Sequence, residues 1–253
     1  MKFRSIFRRM PILKRIYPSL IYRMFVLFKK NFFIYKFRDI YLKLNINDPI
    51  DRSILLFDFY ENDQINYLHK IFQNNKINYF FDIGSNSGIY TLIIAKSFKK
   101  VNVFSFEPIK STFLKLKKNI SLNVGLKNIK RYNYGLSNKN SKLKVKALIK
   151  NDFIQSGGFS VVKKGDILKN LHTEYALFKK ADKKFKFKKK IICLKIDVEG
   201  HEFFVLDGLN LIFKNNKVFM QIEIFPSNYN KVSKKLSLFG FKKINQINSD
   251  YYF

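Results

Sequence analysis

Two carboxylates frame a glycine turn in this chain, and the arrangement points to a nucleoside site. Tyr79 to Ile83 is a short apolar run interrupted by Asp82, and Gly84-Ser85-Asn86-Ser87-Gly88 follows it. A second apolar run, Val101 to Phe106, ends in Glu107-Pro108. Runs of this length and continuity suit strands buried on both faces. Gly84 lets the backbone turn sharply and a ligand approach closely, while Asn86 tolerates positive φ better than other non-glycine residues. Gly88 opens a helical stretch through Tyr90, Leu92, Ile93, Ile94 and Ala95, with Lys99 and Lys100 near its C-terminal end as the helix dipole favours. In such a strand–turn–helix–strand unit, neighbouring strand ends line one crevice. Asp82 and Glu107 are therefore expected to face it, where a ribose can bridge them.

The loop also narrows the ligand. A dinucleotide calls for three glycines and bare helix-terminal N–H groups around its pyrophosphate, whereas a carboxylate at Asp82 repels phosphate. A positively charged nucleoside without phosphate fits better, and S-adenosylmethionine is one. A second constellation, Ile191 to Glu202 (IICLKIDVEGHE), runs from an apolar strand into Lys195, Asp197, Glu199, Gly200, His201 and Glu202. Lys195, Asp197 and Glu199 alternate, so they share a side while the strand lasts. Gly200 then frees a turn, and His201 to Leu209 has helical spacing with Phe204, Val205 and Leu209 on the apolar face. The bland reading is a Lys195–Asp197 ion pair with acids at a helix N-terminus. Strand-end carboxylates beside a nucleoside crevice favour a functional one.

Taken together, the DIGSNSG loop, the FEP strand end and the LKIDVEGHE segment resemble the FkbM family of S-adenosylmethionine-dependent methyltransferases, over roughly Asp58 to Phe225. The NIKRYNYGLSN and VFMQIEIF stretches also sit where that family has strands, although no aspartate follows the serine of Gly135-Leu136-Ser137-Asn138 as it often does in relatives. The resemblance implies an α/β, Rossmann-like class I methyltransferase fold, a mostly parallel seven-stranded sheet with helices on both faces. It implies O-methylation of a hydroxyl on a sugar, a glycan or a related small acceptor. By motif position, Asp82, Gly84, Ser85, Asn86, Gly88 and Glu107 bind the cofactor, with Asp82, Gly84 and Gly88 shaping the methionine pocket and Glu107 accepting from the ribose hydroxyls. Asp197, Glu199 and His201 form the catalytic set, with Asp197 nearest the transferring methyl group.

Methyl transfer to oxygen needs the acceptor aligned and its proton removed. Asp197 and His201 are the candidate bases, and His201 has the intrinsic pKa nearest neutrality. Glu223, ending the Val218–Ile224 run, adds an acid at the crevice rim. Asp197, Glu199 and Glu223 could share a divalent ion, but nothing in the spacing demands one and no metal is assigned. The one cysteine, Cys193, lies inside a predicted strand, which suits a reducing compartment and not a nucleophile.

With 49 basic and 18 acidic residues the net charge is +31. The lysines are scattered, through Lys115–Lys118, Lys139–Lys150, Lys179–Lys190 and Lys242–Lys243, which reads as solvated faces more than one designed patch. Such a surface still attracts phosphates and anionic lipids without specific contacts. Charge is the main support for an alternative, an RNA methyltransferase. Against it stand the IDVEG strand end, in place of a proline–aromatic pattern, and the lack of paired catalytic cysteines, so specific nucleic-acid binding is not expected. A non-catalytic membrane-associated protein of the same fold is the other alternative.

The length suits one α/β domain with an extension: residues 1–50 as a basic, aromatic-rich helical cap or membrane-surface segment, and residues 51–253 as the methyltransferase domain. The extension has Ile16, Leu20 and Phe28 at helical spacing among arginines and lysines, but no apolar run near the ~20 residues of a membrane span and no signal-peptide core. The expected location is cytoplasmic, with peripheral contact at the inner membrane face as an option. Further helices are predicted over Asp51–Asn75, Ser111–Asn123 (capped by Ser111) and Ser233–Phe239, and strands over Ile129–Tyr134, Lys142–Ile149, Phe241–Ile244 and Tyr251–Phe253. Ser156-Gly157-Gly158 marks a turn near the acceptor, and lysine-rich Leu168–Lys190 reads as a mobile loop or insertion.

Overall fold

A computed structural model describes residues 31–150 and 153–253, together with Leu20, Ile21 and Arg23. Period-two burial sets its first strands: β1 (Phe32–Phe37) and β2 (Ile40–Asn45) form an antiparallel hairpin that buries Phe37, Ile40, Leu42 and Leu44. The described end of the predicted helical extension is thus β-structure, and its apolar residues join the same core as Phe80 of the main sheet. Of the Ile16, Leu20 and Phe28 spacing, all but Leu20 lies outside the described residues.

The helical pattern over Asp51–Asn75 is realised as two helices, α1 (Pro49–Phe57) and α2 (Asn62–Asn74). Asp58 and Glu61 between them adopt left-handed backbone, with φ of 51° and 40°, which no helix accommodates. There follow β3 (Tyr79–Ile83), α3 (Ile89–Ser97), β4 (Asn102–Phe106), α4 (Lys110–Leu122) and β5 (Ile129–Tyr132). Ser111 does not cap α4. The N-cap is Ile109, which offers no side-chain cap; its own N–H donates to Glu107 Oε1 at 2.9 Å.

A second sheet is inserted next. It comprises β6 (Gly135–Ser137), β7 (Ser141–Lys150), β8 (Phe153–Ile154), β9 (Ser160–Val161) and β10 (Leu171–Lys180), in the order β6-β10-β7-β8 with β9 also on β7. The first part of the stretch read as a lysine-rich loop is therefore β10, an interior strand. Ala176 and Phe178 point inward while Tyr175 and Leu177 point out, an alternation obscured by lysines on both sides. The chain then continues through α5 (Ala181–Lys184), β11 (Ile191–Ile196), α6 (Glu202–Asp207), α7 (Asn210–Asn215), β12 (Lys217–Glu223), α8 (Tyr229–Ser237), β13 (Asn245–Ile247) and β14 (Asp250–Tyr252). The closing hairpin lies a few residues off the predicted Phe241–Ile244 and Tyr251–Phe253 strands, set by the Ile247–Asp250 pairing.

The main sheet has seven strands in the order β13-β14-β12-β11-β3-β4-β5. β12, β11, β3, β4 and β5 run parallel, while β14 is antiparallel to both β12 and β13. Strand alternation sends Phe80, Val103 and Cys193 into one core, with α2 and α3, and Phe81, Phe104 and Leu194 into the other, with α6 to α8. Helices thus cover both faces, as expected for this α/β class. Phe204 departs from its predicted apolar face: it is 39% exposed and lies against the His201 ring. Among the described residues no helix is long and apolar enough to cross a membrane.

Two contacts fix the part of the fold that carries the site. Asn119 of α4 accepts the Lys43 N–H through Oδ1 and donates Nδ2–H to the Ser87 carbonyl, both at 2.8 Å, tying hairpin, helix and glycine loop together. Asn123, one turn on, accepts from Tyr41 N–H at 2.9 Å and donates to its carbonyl at 2.7 Å. Gly84 has φ 81°, and a Cβ there would lie 1.8 Å from the Asp197 carbonyl oxygen. We expect Gly84→Ala to cost about 2–4 kcal/mol in urea unfolding. A loss below about 0.5 kcal/mol, the scale of an ordinary surface substitution, would show that the two strand ends can part.

Candidate active site

The parallel strands place polar side chains in one row across the sheet. Register aligns Ser105, Asp82, Lys195, Gln221 and Tyr252 on neighbouring strands, all on the α3 face. Beyond this row, at the carboxyl ends, opens a cavity lined by Glu61, Asp82, Glu107, Asp197, Glu199 and Glu223 among others. Six carboxylates therefore face one space in a chain that has 18 acids in all.

The glycine loop is held by its own backbone and by Glu107. Gly84 and Ser85 both donate N–H to the Phe106 carbonyl at 3.0 Å, and Gly88 donates to the Ser85 carbonyl at 2.8 Å. Asn86, at φ 47°, donates its N–H to Glu107 Oε2 at 2.9 Å. With Ile109 on the other oxygen, the Glu107 carboxylate is fixed in orientation while it borders the cavity. Burial pushes it up to about 7, against the pull of those two N–H groups. Asp82 is occupied differently: its Oδ2 accepts from Thr91 N at 3.0 Å and Thr91 Oγ1 at 2.6 Å, so it anchors the first turn of α3 as well as lining the cavity. Burial raises its pKa.

The second constellation meets the first across β3 and β11. Lys195 Nζ donates to Asp197 Oδ2 at 2.8 Å, so the ion pair exists, and both residues also line the cavity. Burial opposes the Lys195 charge, but Asp197, then Glu61, hold the ammonium well above lysine's usual value. The strand ends at Ile196, so the alternation read through Glu199 stops early; Glu199 and Gly200 turn in left-handed backbone with φ of 50° and 93°. Burial and then the charges of Asp197 and Glu223 push Glu199 up to about 8. Glu223 accepts from Ser249 Oγ at 2.7 Å and is pushed up to about 7, by burial first and Asp197 next. Glu202 turns away to accept the Gly200 N–H at 2.7 Å.

Eight of the nine predicted site residues meet at this cavity: Asp82, Gly84, Ser85, Asn86, Glu107, Asp197, Glu199 and His201. Gly88 does not line it. A Cβ there would lie 2.3 Å from Leu116 Cδ1, so its smallness serves the packing of α4. His201 is corrected in character. It is buried between the Phe178 and Phe204 rings with Nε2 2.9 Å from Ser137 Oγ, and burial drives its pKa down to about 4, far from the neutral value that recommended it. Among the described residues no three His, Cys, Asp or Glu side chains converge as a metal ion would require, the trio Asp197, Glu199 and Glu223 included. Cys193 is free and buried, and burial pushes its thiol up. Residues missed by the motifs are Tyr60, Glu61 and Tyr90, which also line the cavity. Glu61 falls inside the helical pattern read over Asp51–Asn75, where nothing singles it out, and Tyr90 falls within an apolar helical run.

An open, mostly parallel sheet with a glycine turn and an acid at adjoining strand ends defines a nucleoside-binding protein of the doubly wound α/β class. The family model described as the methyltransferase FkbM domain matches residues 82–249, more than half of the chain, and the protein belongs to that family of S-adenosylmethionine-dependent methyltransferases. No curated protein sequence matches the chain. Among solved structures, the METTL16 MTase domain is similar with a TM-score of 0.48 and 12% identity, covering 93% of this chain and 89% of its own. Human methyltransferase 10 domain containing protein aligns with a TM-score of 0.45 and 13% identity, over 93% and 94% of the two chains. For M. jannaschii TYW2, in complex with AdoMet, the values are 0.43 and 12%, over 88% and 83%.

The cavity fits the family's cofactor. Ser85 Oγ and Asn86 Oδ1 are buried on its wall with no hydrogen-bond partner, atoms that a ligand would satisfy. Glu107 has unused lone pairs for a ribose diol. We expect Glu107→Gln, which keeps only one of the two acceptors used by the Asn86 and Ile109 N–H groups, to weaken S-adenosylmethionine binding by about tenfold in calorimetry and to lower the melting temperature by a few degrees. Unchanged affinity would remove Glu107 from the ribose site.

Proposed function

We propose that this protein transfers a methyl group from S-adenosylmethionine to a hydroxyl of a sugar, a glycan or a related small acceptor. The observation that carries the reading is the charge inversion between surface and cavity: a +31 chain turns six carboxylates into one space. An acidic pocket attracts a cationic cofactor and repels phosphate. It therefore disfavours a phosphodiester acceptor inside the cavity, whatever the outer surface attracts. Hydroxyls, by contrast, are natural donors to the rim carboxylates Glu199 and Glu223.

When bound, S-adenosylmethionine supplies an electrophilic methyl on cationic sulfur. The chain's contribution is orientation and proton removal. Glu107 and the loop atoms of Ser85 and Asn86 hold the nucleoside; Asp197, fixed by Lys195, faces the developing chemistry. Glu199 is the stronger base than His201: once ionised as pH rises through about 8, its carboxylate holds a proton far more tightly than an imidazole near 4 does. His201, neutral and bonded to Ser137, shapes the wall.

Incubating labelled cofactor with cell-envelope glycans, lipid-linked sugars and RNA tests the acceptor class; transfer to RNA alone would overturn it. Turnover should rise with pH through about 8 and then level, and Glu199→Gln should abolish that limb. Stability should run the other way. A carboxyl raised from 4.5 to about 8 binds its proton more tightly in the folded chain, so its contribution is full below pH 4.5 and is lost as pH climbs to about 8. Glu199→Gln should accordingly melt higher than the parent at alkaline pH. A variant with parental turnover and parental melting would take Glu199 out of the mechanism.

A further inference from the structure

A second cavity, of about 520 Å³, adjoins the first and has the opposite character. Its apolar walls are Phe32 of β1, Leu114 of α4, Ile154 of β8 and Phe159. Phe32 and Leu114 are 54% and 53% exposed, so the cavity keeps apolar surface in water. Its charged groups are Lys43, Lys115, Lys118 and Asp48. Lys115 is committed: its Nζ lies 2.6 Å from Asp51 and 3.7 Å from Asp48. Asp48 is committed as well, accepting from the Ile50 and Asp51 N–H groups at 2.9 and 3.2 Å and from the Ser156 hydroxyl. Lys43 and Lys118 differ. Neither makes an ion pair among the described residues, and Lys43 Nζ stands 4.5 Å from the Phe32 ring centroid, beside the apolar wall. The two cavities share Ser156 and Phe159 as lining, so the turn Ser156–Gly158 is a partition between them. The Ser156 hydroxyl donates to Asp48 on the basic side, and its carbonyl accepts from Asn86 Nδ2 at 3.4 Å on the acidic side. Gly157 keeps the partition thin, since a Cβ there would lie 2.8 Å from Ile50 Cδ1.

We propose that the second cavity holds the lipid phosphate of a lipid-linked sugar acceptor, its apolar chain lying along Phe32, Leu114, Ile154 and Phe159 and its phosphate meeting the Lys43 and Lys118 ammonium groups. The inference rests on the O-methylation reading of the first cavity and narrows the acceptor class. A sugar carried in this way has three parts in series: an apolar tail, an anion and a set of hydroxyls. The paired cavities repeat that series. Apolar walls and two uncommitted ammonium groups come first; across Ser156 and Phe159 stand carboxylates that repel phosphate and accept from hydroxyls. The phosphate that one cavity rejects is accepted next door, which decides the end of the acceptor that enters the reaction site. A free phosphate leaves the apolar walls wet, and an uncharged lipid leaves the two ammonium groups without a counter-charge.

Calorimetry with geranyl phosphate tests the site, with geraniol and inorganic phosphate each supplying half of the ligand. Geranyl phosphate should bind at least about tenfold tighter than either half. Lys118→Glu and Leu114→Asp, both at exposed positions, should each weaken it by about tenfold or more, while S-adenosylmethionine affinity stays within about twofold and reports a folded protein. Equal binding of either half-ligand, or indifference of both variants, overturns the proposal. With lipid-linked sugars from cell-envelope extracts as acceptors, KM should rise by about tenfold once mild acid has removed the lipid phosphate. A KM unmoved by that removal overturns this inference and leaves O-methylation standing; absence of transfer to any hydroxyl acceptor overturns both.

Discussion

A single buried ammonium makes the site possible. Lys195 lies 3% exposed in the middle of the sheet, and its charge favours ionisation of Asp82, Glu61, Glu199, Glu223 and Asp250 around it. Gathering carboxylates out of water is costly unless a cation is gathered with them. Even with Lys195 present, burial keeps several of these acids above their ordinary range, so the compensation is partial. The residual negative potential is what a cationic ligand would neutralise.

This arrangement divides the molecule electrostatically. Lysines dominate the exterior, where water screens them and their mutual repulsion is weak. Acids are concentrated where screening is least. A site built in that way holds stability in reserve, since its like charges are relieved only when a ligand of opposite sign arrives. The polar row beneath the cavity answers a related need. Thr91 and Ser105 share a 2.8 Å bond next to Asp82, and Gln221 Nε2 joins Tyr90 to Asp250, while Gln221 Oε1 and Tyr252 Oη are buried without a partner.

The parallel half of the fold was legible because its signals are local. Tyr79–Ile83 is a strand at the residues the apolar run marks, and Gly84, Asn86 and Gly88 all take the positive φ their types allow. The Glu107 strand end and the Lys195–Asp197 cluster were likewise written in short motifs. What stayed hidden depends on neighbours distant in sequence. Nothing local says that Asp58 and Glu61 break a helical pattern: Glu61 turns to a cavity formed by other elements, and Asp58 Oδ1 accepts from the Tyr35 hydroxyl of β1. β10 went unseen because lysines on its flanks mimic a solvated loop, and its partner β7 lies beyond an intervening connection. His201 was misjudged on intrinsic chemistry: an imidazole's proton affinity belongs to its surroundings, here two aromatic rings and a serine hydroxyl.

The Asn119 side chain joins the Lys43 amide to the Ser87 carbonyl through one terminal amide group. That planar group cannot rotate to suit one partner without deserting the other. The hairpin and the nucleoside loop consequently share a mechanical linkage: a force that lifts β2 from α4 is delivered to the rim of the cofactor cavity.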